Sequence, residues 1–453
     1  MFMDMDEKQQ IQDEKRAIRR KRRIRNQILA YSALIILILA AATGIVVSVR
    51  QITEASQQHE QEIKEESQSM IEDIFASEEV LQTPEPEPES EPEETPEPVA
   101  EKTPEEKLDE IVDAAIGVMP LEDKVAGLFI VTPEAITGVS TALVAGDGTR
   151  DALSQYAVGG LIYFRNNMRS SDQLKDMLSN TKLYTRYPLF LAVDEEGGSV
   201  TRLTNAGLMD AIDSARNIGQ TGDTNIAYAA GITIGSTLDS YGFNLDFAPV
   251  ADIASVENSY MSDRAYGSDA QTATPFVIAM MQGLKDKNVT ACLKHFPGNG
   301  ATTQDPHTGI ATSQRTAEEF RAEEFVVFKA GIDAGVDMIM VSHMAAPALT
   351  GDNDPCSLSS EVVTDILREE LGFEGVIITD ALNMGAVSEY YPPEDAAVMA
   401  LKAGCDILLM PEDFETAYNA VLEAVQNGTI SEERINDSLR RIYRIKYADR
   451  LEP

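Results

Sequence analysis

Eight short apolar runs recur between residues 103 and 453, each followed by a segment of helical character. They are 127–131, 160–164, 189–193, 245–249, 291–294, 337–342, 375–379 and 406–410. The runs are nearly continuous in apolar residues instead of alternating. A strand of that kind is buried on both faces, which is the condition of a parallel sheet covered by helices. Amphipathic patterns such as 317–334 and 360–371 fill the gaps. Eight strand–helix repeats describe a (β/α)8 TIM barrel better than an open sheet. A last helix, expected over 431–447, closes the ring, and no second domain is expected after it.

The chain changes character upstream of this domain. Residues 1–27 carry Lys15, Arg16, Arg19, Arg20, Lys21, Arg22, Arg23 and Arg25. Residues 28–49 are uncharged and apolar. At about 1.5 Å per residue, that run spans a hydrocarbon core of about 30 Å. A cleaved signal peptide is the alternative. The run is long for one, and no small-x-small site stands just after it. The basic cluster precedes the span, so the positive-inside rule places 1–27 in the cytoplasm and everything after Arg50 outside. Residues 50–102 read as a stalk, and 84–98 spell PEPEPESEPEETPEP. Proline stiffens that disordered acidic linker and glutamate repulsion extends it. The expectation is a single-pass membrane protein with an extracytoplasmic barrel at 103–453.

A formal net charge of −38 argues against nucleic acid as a partner, because phosphates would be repelled. Cys292, Cys356 and Cys405 are too few and too scattered for a disulfide framework or a zinc site, and read as buried small hydrophobes. No ligand spacing for a metal or an organic cofactor is present, so neither is expected. Oligomeric state is not legible.

Barrel enzymes carry their chemistry on the loops that follow the strands. After the third run comes Asp194-Glu195-Glu196-Gly197-Gly198-Ser199-Val200-Thr201-Arg202. After the fourth come Asp252 and then Arg264. The fifth ends in Lys294-His295-Phe296-Pro297-Gly298-Asn299-Gly300, and its loop carries Asp305-Pro306-His307. His343 follows the sixth and Asp380 the seventh. Polar and ionisable groups therefore gather at one end of the barrel, as a polyhydroxylated ligand requires. Asp380 can supply a carboxylate, and His307 a proton near neutral pH. Asp305, two residues earlier, can orient that imidazole. His343 either lines the site or lies beneath it as a satisfied histidine. The glycines at 197, 198, 298 and 300 permit close turns.

The stretches DEEGGSVTR, KHFPGNG, the D-x-H loop and ITDALNM resemble glycoside hydrolase family 3, in particular its β-N-acetylglucosaminidase branch. The resemblance covers roughly 105–450, with the motifs in order. It implies Asp380 as nucleophile, His307 as acid/base and Asp305 as its partner. Asp194, Arg202, Arg264, Lys294 and His295 match the positions that grip the sugar. Two departures stand out: Asn299-Gly300-Ala301 replaces a His-Gly-Asp-like continuation, and Pro306 separates the dyad where Ser or Thr is usual. Proline stiffens that loop.

The resemblance implies a retaining exo-β-N-acetylglucosaminidase that removes terminal β-linked N-acetylhexosamine from cell-wall-derived or related glycans. The alternatives are a β-glucosidase or β-xylosidase of the same family, a glycoside phosphorylase, and a non-catalytic glycan-binding barrel. The D-x-H dyad and the chain's ending soon after the barrel disfavour the first. The presence of nucleophile and dyad disfavours the last.

Overall fold

The computed structural model describes residues 102–304 and 309–448. The expected membrane span at 28–49, the stalk, Asp305 and His307 lie outside the described residues. Among the described residues, no helix is long and apolar enough to cross a membrane.

Eight parallel strands form, one in each expected run: β1 (Phe129–Val131), β2 (Gly160–Ile162), β3 (Phe190–Val193), β4 (Leu245–Asp246), β5 (Thr290–Phe296), β6 (Met338–Val341), β7 (Val376–Thr379) and β8 (Leu408–Leu409). Their order is β7-β6-β5-β4-β3-β2-β1-β8, and a parallel bridge between Ile378 and Ile407 joins the two ends. The sheet is thus closed into a (β/α)8 barrel. Its strands are buried along their length, which explains why they read as unbroken apolar runs.

Helices cover the outside. They include α1 (Pro104–Gly117) ahead of β1, α2 (Asp147–Gln155), α3 (Ser171–Tyr184), α4 (Thr224–Tyr241), α5 (Ala270–Lys285), α6 (Glu324–Asp333), α7 (Pro393–Ala403), α8 (Phe414–Gln426) and α9 (Glu432–Lys446). Helix α1 starts on a capping box, with Thr103 and Glu106 each satisfying the other's backbone N–H. Arg440 in α9 then reaches Asp113 of α1 at 2.8 Å. The closing helix expected at 431–447 is therefore α9, and it ties the first helix to the last.

Two elements differ from expectation. The helix expected over 317–334 is broken at Glu323 (φ −125°, ψ −83°), between Ala317–Ala322 and α6. The break releases the Glu323 carboxylate to accept the first N–H of α5, from Ala270, at 2.9 Å. It also turns Phe320, Phe325 and Phe328 inward, where Phe325 stacks on Phe320 and Phe296 and Phe328 meets Phe296 edge-on. The segment Glu361–Glu370 is wound as a π-helix, ending in the bond from the Leu371 N–H to the Ile366 carbonyl at 2.9 Å.

One buried ion cluster pins the barrel where β8 closes on β7. Asp406 is fully buried, and its carboxylate accepts from Arg368 (2.8 Å), Arg441 (3.0 Å), the Ser438 hydroxyl (2.6 Å) and the Ile377 N–H (3.0 Å). The three cysteines are free and buried, and no disulfide forms among them.

Candidate active site

A cavity of about 280 Å3 opens at the strand C-termini. Asp194, Arg202, Arg264, Lys294, His295 and Asp380 all line it. His343, for which sequence left lining the site and lying beneath it both open, does not line it. The rest of the wall is mixed: Phe164, Phe247, Met340, Met384 and Met410 supply apolar surface, and Glu196, Tyr260 and Asn383 supply polar groups.

Strand alternation explains the polar wall. Asp194, Glu195 and Glu196 follow β3 directly, and successive side chains in extended chain face opposite ways. Asp194 and Glu196 reach the cavity, while Glu195 is fully buried outside it. Gly197 and Gly198 then turn the chain back, at φ 89° and 59°, a region that glycine enters without steric cost. The returning chain brings Arg202 beside Asp194, Nη2 to Oδ2 at 3.1 Å. Arg202 also stacks over the Phe164 ring, 5.3 Å from its centroid.

Lys294, from the inner face of β5, sits at the centre of this wall. Its Nζ is 2.8 Å from Asp194 Oδ1 and 2.7 Å from Glu196 Oε1. Arg264 holds Glu196 from the other side through two bonds, Nε to Oε2 at 2.9 Å and Nη2 to Oε1 at 2.7 Å. Burial opposes the charge on every member of the cluster. Pairing outweighs it. Against that burial, Lys294 and Arg202 hold the Asp194 carboxyl below its ordinary range. Arg264 and Lys294 do the same, more strongly, for Glu196. Against burial as well, Asp194 and Glu196 keep Lys294 charged, and Glu196 keeps Arg264 so. The result is a fixed, desolvated array of donors and acceptors matched to hydroxyl and amide groups.

His295 adjoins Lys294. Its Nδ1 is 2.7 Å from Asp252 Oδ2, and the other Asp252 oxygen accepts the Asn299 N–H at 2.5 Å. One ring nitrogen is thereby committed to Asp252, and among the described residues Nε2 has no hydrogen-bond partner on a residue that lines the cavity. Asp252 is fully buried and acts through His295. Asn299, at one of the sequence departures, is also buried and accepts from the Ser342 hydroxyl at 2.5 Å.

Asp380 follows β7 and is half-buried on the cavity wall. It accepts the Ala381 N–H at 2.8 Å. It does not cap the short helix Gly385–Ser388, whose N-cap is Met384. Burial works against its charge, yet His295, His343 and the Ala381 N–H hold its carboxyl below the ordinary aspartate range. A group kept ionised and facing a cavity has the character of a nucleophile.

His343 lies beneath this strand end, fully buried. Nδ1 is 2.7 Å from the Ser357 hydroxyl and Nε2 is 3.0 Å from the Ala381 carbonyl. Both ring nitrogens are engaged by protein, so it supports the Asp380–Ala381 backbone and does not reach the cavity. Burial pushes its imidazole below the usual range, against the pull of Asp380.

Sequence reasoning did not single out Glu196 for sugar binding, nor Asp252 as the orienting partner of His295. The i, i+2 spacing of Asp194 and Glu196 was the available signal. Among the described residues, no group of three or more His, Cys, Asp or Glu is arranged to hold a metal ion.

Comparison with known proteins agrees with this geometry. The glycosyl hydrolase family 3 N-terminal domain model matches residues 121–445. The chain is 30% identical to β-hexosaminidase A of Pseudoalteromonas piscicida over 331 residues, covering 65% of this chain and 54% of that one. It is 34% identical to a β-hexosaminidase of Nitrosomonas eutropha over 274 residues, covering 59% of this chain and 78% of that one. The structure of a family 3 β-N-acetylglucosaminidase from Paenibacillus sp. is similar with a TM-score of 0.70 at 34% identity, covering 74% of this chain and 64% of that one. The chain thus spans about half the length of the Pseudoalteromonas relative and just under two thirds of the Paenibacillus chain. With the family match extending from the first strand to the last helix of the barrel, the chain belongs to glycoside hydrolase family 3, in its β-hexosaminidase branch.

Proposed function

We propose that this protein is a retaining exo-β-N-acetylglucosaminidase that removes terminal β-linked N-acetylhexosamine from cell-wall-derived or related glycans. One observation carries the reading: a cavity of about 280 Å3 sets the ionised Asp380 against the Asp194–Lys294–Glu196–Arg264 array. That volume is near the small end of ligand pockets, about 300–1,000 Å3, and suits one terminal sugar better than a stretch of chain. The named relatives support the choice of an N-acetylated sugar.

The residues present suit a double displacement. Asp194, Arg202, Lys294, Arg264 and His295 hold the sugar by its hydroxyl and acetamido groups. Asp380 attacks the anomeric carbon and forms a glycosyl ester as the bond to the leaving oxygen breaks. That oxygen takes a proton from His307, with Asp305 steadying the imidazole; water, deprotonated by the same histidine, then cleaves the ester and frees Asp380. Two other carboxylic acids near the site are poor acids. Glu196 is held ionised by Arg264 and Lys294, and Glu195 does not line the cavity.

The same reading places the catalytic domain outside the cytoplasmic membrane, anchored by residues 28–49 and held off by the Pro/Glu stalk. The basic residues before the span support that orientation.

The test is to assay the detergent-solubilised chain on aryl β-N-acetylglucosaminide and aryl β-glucoside, with and without phosphate. Hydrolysis of the first at a rate indifferent to phosphate is expected. A preference for the glucoside, or turnover that requires phosphate and yields a sugar phosphate, overturns the proposal.

A further inference from the structure

We propose that Glu195 is a positioning residue for substrate binding: its buried carboxylate fixes the backbone from which Arg202 and Asp194 reach the sugar. The inference rests on the glycosidase reading above and assigns Glu195 a role that neither acid catalysis nor direct sugar contact supplies.

The geometry is specific. Glu195 is fully buried, lies between two residues that line the cavity, and does not line it itself. Its Oε2 accepts the backbone N–H of Arg202 at 2.6 Å and of Leu203 at 2.7 Å. Its Oε1 accepts from the Thr204 hydroxyl at 3.0 Å and the Thr204 N–H at 3.3 Å. The Glu195 N–H is in turn given to Asp246 Oδ1, on the neighbouring strand β4, at 2.9 Å. One residue therefore joins the outgoing limb of the loop, the returning limb and the barrel wall.

The consequence falls on Arg202. Its guanidinium meets Asp194 at 3.1 Å and is only partly buried. A long side chain on a free loop loses much rotamer entropy when it binds. With its own N–H and the next two tied to a carboxylate, Arg202 starts from a fixed Cα, and its head is already at the cavity. Hydrogen bonds to a charged acceptor are the stronger kind, and their loss here would leave three backbone donors unpaired. Removing the clamp therefore loosens ground-state binding while leaving Asp380, which follows β7, and its supports His295, His343 and the Ala381 N–H untouched.

The experiment compares wild type, Glu195→Gln and Glu195→Ala in the full chain. Kinetics on an aryl N-acetylglucosaminide are read beside calorimetric affinity for N-acetylglucosamine. Glutamine keeps one acceptor oxygen, so its KM should rise about threefold with kcat unchanged. Alanine keeps neither, so KM and the sugar dissociation constant should both rise at least tenfold, with kcat within about threefold. If the alanine variant does not fold, the glutamine variant decides alone. A KM equal to wild type in the folded variants, or a loss confined to kcat, overturns the inference while leaving the glycosidase reading intact. A wild type that neither turns over the glycoside nor binds the sugar overturns both.

Discussion

Arg264 holds Glu196 through two bonds, Nε to Oε2 at 2.9 Å and Nη2 to Oε1 at 2.7 Å. The pair joins the loop after β4 to the loop after β3 across the cavity wall. Lys294 completes it from β5, so three consecutive strands are locked in one arrangement before any sugar arrives. Such preorganisation lets binding proceed without ordering the charged groups anew.

Breaking that pair from one side should be costly. Arg264→Ala leaves Glu196 with Lys294 as its single cationic partner, and loss of one member of a buried pair typically destabilises by about 3–5 kcal/mol. Arg264→Lys keeps the charge but not the fork and should be milder. Urea unfolding of both variants checks the order. Equal stability of Arg264→Ala and wild type would show the pair to be energetically idle.

The nucleophile assignment predicts a defect of chemistry without one of folding. Asp380→Asn should retain the wild-type melting temperature and lose nearly all turnover, because an amide cannot form the glycosyl ester. In wild type, a 2-fluoro glycoside should label Asp380. Peptide mapping that finds the label elsewhere defeats the assignment.

The histidine claim turns on leaving groups. His307→Ala should slow cleavage of a natural disaccharide by about a hundredfold to ten-thousandfold, the range for general acid–base catalysis. An activated aryl glycoside needs little protonation, so its first step should be nearly spared and azide should rescue the second. Asp305→Ala should follow the same pattern more mildly. Near wild-type activity of His307→Ala on the disaccharide would make the histidine structural.

Asp406 is expected to be costly to replace for the barrel itself. Replacing it by alanine leaves Arg368 and Arg441 without their buried carboxylate and frees the Ser438 hydroxyl and the Ile377 N–H. A loss of about 3–5 kcal/mol follows from an uncompensated buried charge. Chemical denaturation of Asp406→Ala, with KM unchanged in the folded fraction, is the measurement.

Glu324 sets a pH dependence of stability. It is 1% exposed, and burial pushes its carboxyl up to about 8 even though Arg315 Nε stands 2.8 Å away. The folded state therefore keeps a proton that the unfolded chain releases near 4.5. Between those values the unfolded state binds fewer protons, so this residue's contribution falls as pH rises. At about 1.4 kcal/mol per pH unit, the fall amounts to a few kcal/mol. Glu324→Gln cannot release a proton, so its melting temperature should decline less from pH 5 to pH 8 than that of wild type. Parallel curves would refute the shift.

The eight strands were legible because burial on both faces leaves an unbroken apolar run, which local sequence records directly. The closing helix was legible for a similar reason. The break at Glu323 was not, since the groups it brings into contact, the Ala270 N–H and the ring of Phe296, are far away in the chain. Sequence alone placed Asp194, Arg202, Arg264, Lys294, His295 and Asp380 at one rim, because strand ends and the motifs following them are local facts. It did not separate Glu195 from Glu196. Two adjacent glutamates are chemically alike, and only the direction in which β3 leaves the barrel decides which one meets Arg264 and which one clamps a loop. Nor did it decide whether His343 lines the site, as His295 does, or lies beneath it. Both stand near strand ends, but among the described residues tertiary packing gives His295 one hydrogen-bond partner, Asp252, and His343 partners on both ring nitrogens. Residue type and order along the chain determined the barrel and its chemical inventory. The division of that inventory into groups that touch a ligand and groups that hold those groups in place was decided by the closed sheet, which brings carboxylates and cations from different strands within hydrogen-bond distance.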